Sequence, residues 1–340
     1  MKHLITGGSG FLGNLIARRL LAAGEQVRIL DVWDDPGRPR EIEYVQCDVR
    51  DPAGVAKALD GIEMVHHNAA LVPLTKSGKD FATVNVDGSR IVAEQAAGRV
   101  RAFIHMSSSA VYGSPQCPVT AKTPCQPIEM YGRAKLAGEL AVREVCEKHS
   151  TDLVVIRPRT ILGGGRLGIF QILFDWISSG QNVFVLGDGN FGYQFVHADD
   201  LIDAYMLAIK LEKPGIYNVG TDRFGTLREA LENLIHYAGT KSQVRSLPAG
   251  LTVHTLRALD YLGLSPLAPW HYLTYNKPLY FDVEPLRQLG WKAKYSNDEM
   301  LCHSYDWFLA NRNSAKSVSG GSPHRRRVRE GVLWFLKKIA

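Results

Sequence analysis

Tyr131-Gly132-Arg133-Ala134-Lys135 sets a phenol and an ammonium four residues apart, which on a helix places both on one face. A tyrosine titrates near about 10 and is a poor base at neutral pH, but a cation beside it favours the phenolate and makes proton transfer feasible. Ser107-Ser108-Ser109 lies upstream, at the end of a strand-like run, and leads into Ala110-Val111-Tyr112-Gly113. The carboxyl end of a strand is where open α/β sheets take their ligands. A serine hydroxyl there can hydrogen-bond the substrate oxygen that Tyr131 protonates or deprotonates. The chemistry these residues offer is proton transfer at an alcohol or carbonyl oxygen.

A second constellation lies at the start of the chain, in Thr6-Gly7-Gly8-Ser9-Gly10-Phe11-Leu12-Gly13. Gly7 allows a tight turn, Gly10 lets the backbone approach a pyrophosphate, and Gly13 permits close packing of helix on strand. A helix beginning at Gly10-Phe11-Leu12 presents free N–H groups and the positive end of its dipole to phosphates. Asp31 ends the second strand, where an acid meets the adenine ribose hydroxyls. A carboxylate there repels a 2′-phosphate, so the expected cofactor is NAD rather than NADP, although Arg38 and Arg40 follow closely. With a nicotinamide bound, Lys135 can hold its ribose, and the ring's positive charge adds to that of Lys135 in favouring the Tyr131 phenolate.

The elements that must position these groups are legible as alternation. Strands are expected at His3–Thr6, Gln26–Asp31, Glu43–Cys47, Met64–Asn68, Ala102–Ser107 and Leu153–Arg157, with helices between them at Gly10–Ala23, Asp80–Ala97 and Met130–His149. This rhythm predicts a doubly wound parallel α/β sheet covered on both faces. After Pro158 the pattern loosens around Gly163-Gly164-Gly165 and Gly187-Asp188-Gly189, then regains helices at Thr226–Tyr237 and Asp298–Asn311. The expected organisation is a dinucleotide-binding core over 1–158 and a smaller α/β substrate lobe over 159–312 with some segments returning to the core. A flexible linker over 313–323 and a tail helix over 324–340 follow.

The ordered set of the glycine motif, HHNAA (His66–Ala70), SSSAVYG (Ser107–Gly113), YGRAK, IRPRTILG (Ile156–Gly163), FVHADDL (Phe195–Leu201) and YNVG (Tyr217–Gly220) resembles the NAD-dependent epimerase/dehydratase family of extended short-chain dehydrogenases/reductases, over about residues 1–312. The resemblance implies a Rossmann-type sheet. Counting back from Val111-Tyr112-Gly113, it assigns the catalytic serine to Ser108, with Tyr131 as base and Lys135 as its helper. It implies that Asp48 and Val49 lie near the adenine and that Asn68, Ala69 and Ala70 run under the cofactor. Asn85 matches the asparagine of the following helix, and Ser107 and Pro158 complete the implied cofactor contacts. The family commonly pairs through two helices, here Asp80–Ala97 and Met130–His149, so a homodimer is implied.

Departures from the pattern bear on the substrate. Many nucleotide-sugar members carry an asparagine soon after the Arg-Pro pair and an arginine before F-V-H; this chain has Arg159-Thr160-Ile161 and Tyr193-Gln194. Either Arg159 or Arg166 substitutes, with Pro73, Ser109, Thr160 and Tyr193 as further substrate contacts, or the substrate carries no nucleotide. Pro73, Leu74 and the stretch 251–280 are apolar for a sugar pocket unless they are core. The first expectation is a UDP-sugar epimerase that passes a hydride to bound NAD and takes it back. Ser109-Ala110 offers no acid beside the serine, which weighs against a dehydratase. The alternative is a dehydrogenase/reductase on an apolar or lipid-linked alcohol or ketone, resembling 3β-hydroxysteroid dehydrogenases, with exchangeable NAD(P). Intact Ser108, Tyr131 and Lys135 argue against a binding protein that has lost catalysis.

The net charge of +6 is localised. Residues 324–340 hold six Lys/Arg against Glu330, which leaves the remaining body at +1 and without the basic face of a nucleic-acid binder. Val328, Val332, Phe335, Leu336 and Ile339 form a helical stripe in that tail, as in an interfacial membrane anchor or a helix docked on the enzyme or a partner subunit. Five cysteines without a C-x-x-C pair suit reduced thiols and a cytoplasmic location, with peripheral contact at the inner membrane face through the tail. Neither a signal peptide nor a membrane span is expected. The histidines suggest no metal site: His66 and His67 should point to opposite faces of a strand, and Asp199-Asp200 should start a helix.

Overall fold

Runs of branched apolar residues that are buried on both faces pair most readily as parallel strands, and the computed structural model shows this arrangement. It describes residues 1–72, 80–211, 213–261 and 269–312, so Pro73, Leu74, the linker and the basic tail lie outside the described residues. The first part of the chain runs β1 (Lys2–Thr6), α1 (Phe11–Ala22), β2 (Gln26–Asp31), β3 (Glu43–Gln46), α2 (Pro52–Ala58), β4 (Met64–His67), α3 (Asp80–Ala82), α4 (Gly88–Ala96), β5 (Ala102–Met106), α5 (Met130–Lys148) and β6 (Asp152–Pro158). It continues as β7 (Thr160–Leu162), α6 (Phe170–Ser178), β8 (Val183–Leu186), β9 (Phe195–His197), α7 (Ala198–Lys210), β10 (Gly215–Val219), α8 (Leu227–Ala238), β11 (Val244–Leu247), α9 (Ala249–Tyr261), α10 (Pro269–Thr274), α11 (Glu284–Gln288) and α12 (Asn297–Asn311).

Seven strands form one sheet in the order β10-β6-β5-β4-β1-β2-β3, with every neighbouring pair parallel. On one face Leu4, Leu30, Val65 and Phe103 pack with Val55 of α2, Val92 and Ala96 of α4, and Val142 and Val145 of α5. On the other, Ile5, Ile29, Ile104 and Ile156 join Ile16 and Leu20 of α1 and Leu201 and Tyr205 of α7. The core thus lies in two layers, and the loops at the carboxyl ends of the strands are left to build a site.

Two features depart from a simple reading of the pattern. β10 is the seventh strand of the central sheet, paired with β6 from Gly215–Val154 to Val219–Pro158, and α7 covers that sheet. Residues after 158 therefore contribute to the core as well as to the lobe that holds the pairs β7–β9 and β8–β11. The segment expected as one helix from Asp80 is interrupted by a π-helical turn at Thr83–Asp87, which carries Asn85. The later helices begin at capping boxes, Thr226 with Glu229 and Ser296 with Glu299. Asp199 and Asp200 lie in the first turn of α7, and Asp200 also accepts the N–H groups of Lys294 and Tyr295. The apolar stretch 251–280 splits: α9 buries no residue, whereas Tyr272 and Leu279 are core. No helix among the described residues is long and apolar enough to cross a membrane.

His66 and His67 face opposite sides of the sheet. His66 bridges His3 (2.9 Å) and the Tyr205 hydroxyl (2.7 Å), while His67 bridges Thr6 (2.8 Å) and Ser89 (2.9 Å) and stacks on His105. Burial holds His66 and His105 well below the usual histidine range and His67 at about 3. His197, at the start of α7, is lowered by burial to about 4. All four are neutral when folded, while an unfolded chain takes up their protons below about pH 6.5. Unfolding free energy should therefore fall as the pH drops below that value, by about 1.4 kcal/mol per pH unit for each histidine, down to the folded pKa. Urea midpoints measured at pH 7.5, 6.0 and 5.0 should decline steadily; a flat profile would contradict neutral burial.

Candidate active site

The turn after β1 is shaped by close approach. Gly7 has φ +67°, and a Cβ there would stand 2.8 Å from the Cα of Ala69. A Cβ on Gly13 would stand 2.2 Å from the Gly7 carbonyl oxygen, so α1 can lie on this turn only with glycine at 13. Gly10 starts α1 with no side-chain cap, and the first turn holds no acid. The N–H groups of Phe11, Leu12 and Gly13 thus lack the side-chain acceptor that most helix starts provide, an arrangement suited to a phosphate.

Asp31, at the end of β2, accepts the N–H of Ser9 (3.1 Å) and of Trp33 (3.3 Å), which lays its carboxylate beside the glycine turn. Burial raises its pKa, and those N–H groups oppose the rise. Arg38 is held by Asp34 at 2.7 and 2.9 Å and lies over Tyr44, so it is already paired; Arg40 is exposed. Asp48 is gripped by Arg50 at 2.6 and 3.0 Å, which lowers its pKa, and Val49 is buried against Gly88. The half-buried Asn68, Ala69 and Ala70 run beneath the glycine turn. Asn85 pins the end of this segment, since its side-chain amide accepts from the Leu71 N–H at 2.7 Å and donates to the Leu71 carbonyl at 3.0 Å. An uncapped helix start, a carboxylate at the end of β2 and a glycine-lined cradle fit a dinucleotide.

The second half of the site hangs on α5. Glu129 caps it by accepting the N–H groups of Tyr131 (2.7 Å) and Gly132. Ser108 begins the short 3-10 turn Ser109–Tyr112 and accepts the Ala110 N–H at 3.2 Å. Burial raises the pKa of Tyr131; the Ser108 hydroxyl and the charge of Arg166 act downward, and Glu129 acts upward. The Lys135 ammonium donates to the Met106 carbonyl at 2.6 Å, and burial lowers its pKa to about 8 against the opposing charge of Glu139. Phe81 of α3 meets the Tyr131 ring edge-on at 6.1 Å.

Several expected contacts are placed differently. The Ser107 hydroxyl donates to Glu139 (2.6 Å), which engages its side chain with α5. Ser109 and Arg159 bond to each other at 3.0 Å, both buried. Arg159 also donates to the Gln194 carbonyl and lies over the rings of Tyr193 and Phe281, which keeps it and the buried Tyr193 beneath the surface. Gln194, which follows Tyr193 in the stretch where many nucleotide-sugar members have an arginine, wedges its amide between Thr221 and Phe281 backbone. Thr160 is half-buried and hydrogen-bonds Tyr275, and Pro158 ends β6, buried. Arg166, in contrast, lies over the Phe11 ring at the start of α1, its guanidinium carbon 5.7 Å from the centroid. Among the described residues no group of His, Cys, Asp or Glu is placed to hold a metal.

Sequence reasoning passed over the buried network behind the site. Glu139 pairs with Arg157 (Nε to Oε2 3.0 Å), and Arg157 donates to the Tyr112 hydroxyl at 2.7 Å. The available signal was Glu139 standing four residues after Lys135. Glu129 was passed over as well, though an acid directly before a helix is a recognisable cap.

Comparison with known proteins agrees with this architecture. The NAD dependent epimerase/dehydratase family matches residues 3–220. Uncharacterized protein y4nG of Sinorhizobium fredii is 42% identical over 98% of this chain and 85% of its own. The UDP-glucose 4-epimerase of Mycolicibacterium smegmatis is 30% identical over 78% of this chain and 94% of its own. The solved structure of Thermus thermophilus UDP-glucose 4-epimerase in complex with NAD matches with a TM-score of 0.72 and 25% identity, over 91% of this chain and 99% of that one. That of UDP-glucuronic acid 4-epimerase from Bacillus cereus in complex with NAD shares the fold, with a TM-score of 0.73 and 22% identity over 91% and 99% of the two chains. The chain belongs to the NAD-dependent epimerase/dehydratase family and is an enzyme of that family.

The buried pair behind the site gives a direct test. Glu139→Ala leaves the Arg157 guanidinium buried without its carboxylate, which should cost about 3–5 kcal/mol of unfolding free energy. Urea denaturation of the variant should show this loss, and a change within measurement error would mean the pair is not closed in solution.

Proposed function

We propose that this enzyme is an NAD-dependent nucleotide-sugar epimerase, acting at a secondary hydroxyl of a UDP-sugar. The observation that carries the reading is α5 holding Tyr131 and Lys135 one helical turn apart at the carboxyl end of β5, with the Lys135 ammonium on the Met106 carbonyl (2.6 Å), Ser108 heading the turn that follows β5, and the uncapped start of α1 after β1 of the same sheet. Similarity to UDP-sugar 4-epimerases across most of the chain supports the substrate class and weighs against the alternative of an apolar alcohol. Ser109 tied to Arg159, with Ala110 next, leaves no acid beside Ser108 to help expel water, which favours epimerisation over dehydration.

Gly7, Gly10, Phe11, Leu12 and Gly13 would hold the pyrophosphate and Asp31 the adenine ribose, with Asn68, Ala69 and Ala70 beneath. Bound NAD supplies a hydride acceptor that also gives the hydride back, so one cofactor serves both halves of the reaction. Tyr131 takes the hydroxyl proton at its phenolic oxygen and returns it to the inverted product. Ser108 holds the same substrate oxygen by hydrogen bond. Lys135 would hold the nicotinamide ribose while its backbone partner, Met106, fixes the ammonium. Thr160 and Arg166 remain the expected substrate contacts on the lobe side. A homodimer through α4 and α5 is supported by Leu140, half exposed on α5.

Proton NMR of the full chain with NAD and a panel of UDP-glucose, UDP-arabinose and UDP-glucuronate should show the anomeric signal of one substrate giving way to that of its epimer. Tyr131→Phe should lower that rate by about 10²–10⁴-fold with the fold intact. Undiminished turnover in this variant would rule out Tyr131 as the proton carrier. Asp31→Ala removes a charged acceptor for ribose hydroxyls and should weaken NAD binding about ten- to a hundredfold in titration calorimetry, narrowing the gap to NADP. An unchanged affinity would place the adenine ribose elsewhere.

A further inference from the structure

We propose that Arg166 holds the cofactor pyrophosphate from the lobe side, closing a cradle that the core builds only in part. The inference goes beyond the substrate contact expected of this residue, and it rests on NAD lying along the glycine turn, not on the identity of the sugar. The guanidinium carbon of Arg166 stands 5.7 Å from the centroid of Phe11, the first residue of α1. Its neighbour Gly165 comes so near that a Cβ there would lie 3.6 Å from the same ring. The loop between β7 and α6 thus lies against the start of α1 and sets its cation there.

A pyrophosphate diester carries two negative charges. The helix start answers them with N–H groups and a dipole equivalent to about half a positive charge. The cradle adds no full charge of its own, since neither the turn at residues 6–10 nor the first turn of α1 holds a lysine or arginine. Cations on the surrounding elements are engaged elsewhere. Arg18 of α1 donates to Asn14 (2.7 Å) and to the Gly37 carbonyl, Arg19 to Asp203, Arg38 to Asp34, Arg50 to Asp48, and Lys135 to the Met106 carbonyl. Arg166 is half-buried, burial lowers its pKa, and among the described residues no carboxylate pairs with it. Such a cation is unfavourable without an anion, and a dianion on the N–H groups that open α1 supplies one. A planar guanidinium can meet two phosphate oxygens at once.

The loop that carries Arg166 is fixed from behind. Gly163, Gly165 and Gly168 have φ of +147°, +83° and +54°, values that residues with a Cβ rarely adopt. The Arg166 N–H closes the turn on the Gly163 carbonyl at 3.0 Å. A Cβ on Gly163 would stand 3.2 Å from that of Ala198 in α7, and one on Gly164 would meet the indole of Trp307 in α12 at 2.8 Å. This loop belongs to the lobe and the glycine turn to the core, so a dinucleotide gripped by both is released only when the loop gives way. Slow release suits an enzyme that returns its hydride to the substrate in every cycle.

The test is binding, and it needs no sugar. Titration calorimetry of the full chain compares NAD, ADP-ribose, adenosine and UDP, and a stopped-flow chase of bound NADH by excess NAD reads the dissociation rate. Arg166→Gln should weaken NAD and ADP-ribose alike, by about ten- to a hundredfold, and leave adenosine, which lacks the phosphates, unchanged. The NADH dissociation rate should rise by a comparable factor, and Arg166→Lys should recover part of both effects. An unmoved NAD affinity in Arg166→Gln overturns the proposal. So does an equal loss for adenosine, which would mark a distorted site, and a loss confined to UDP, which would make Arg166 a substrate contact alone. Where Arg166→Gln does not fold, Arg166→Lys against the wild-type chain carries the same comparison, with a several-fold loss for NAD and ADP-ribose expected and an unmoved NAD affinity overturning the proposal. A wild-type chain that binds no NAD would overturn the cofactor placement and the proposal together, whereas failure of every sugar to turn over would count against the epimerase reading alone.

Discussion

The interaction on which the arrangement depends is the ion pair of Glu139 and Arg157, sealed between α5 and β6. Tyr131, Lys135 and Glu139 follow one another at four-residue spacing, so they form one stripe of α5. Anchoring Glu139 to Arg157 and to the Ser107 hydroxyl therefore turns the whole stripe toward β5. Lys135 then meets the Met106 carbonyl, and the Tyr131 phenol comes under the influence of the Ser108 hydroxyl. Arg157 also reaches the Tyr112 hydroxyl, so the same pair braces the turn that carries Ser108. Desolvating two charges is costly, and such a pair is weak evidence for stability. Its value here is directional, because it fixes which face of a long helix looks into the cleft.

Around that stripe the interior is kept short of charge. The histidines that line β1, β4 and β5 are neutral because burial penalises the imidazolium, and Lys135 titrates lower for the same reason. A phenol in such surroundings resists ionisation, so each cation that faces it has a large effect. The low dielectric that raises the pKa of Tyr131 also strengthens the influence of any charge near it. His105, stacked on His67 with neither ring nitrogen partnered among the described residues, extends this neutral layer along β5.

The cofactor half of the site follows from contact distances rather than charge. Glycine at 7 and 13 lets the β1–α1 turn, the helix and the β4 loop touch backbone to backbone. Gly138 does the same for α5, where a Cβ would meet the carbonyl of Asn85 at 2.1 Å. That approach explains the π-helical turn at Thr83–Asp87, which pushes the Asn85 backbone outward and leaves its side chain free to grip Leu71. In the lobe, Tyr193-Gln194 stands in the stretch where many nucleotide-sugar members carry an arginine, and the Gln194 amide completes backbone pairing with Thr221 and Phe281.

The strand runs, the glycine turn, the carboxylate at Asp31 and the Tyr131–Lys135 spacing were all readable from the chain alone, because each depends on local periodicity or on a single turn. The six strands expected up to Arg157 fall within a residue of their bounds, whereas β7 to β11 were not anticipated, and the glycine positions are dictated by steric limits that act over a few residues. What the sequence could not decide are the pairings between distant segments. That β10 returns to the central sheet, that Ser109 is taken up by Arg159, and that Ser107 serves Glu139 all depend on which buried polar groups must satisfy one another once water is excluded. The same holds for Arg166, expected from the sequence as a substrate contact, whose place over the Phe11 ring depends on the fold of its glycine loop. Local geometry is written in neighbouring residues, whereas burial, and the electrostatics it controls, exists only after the chain has closed on itself.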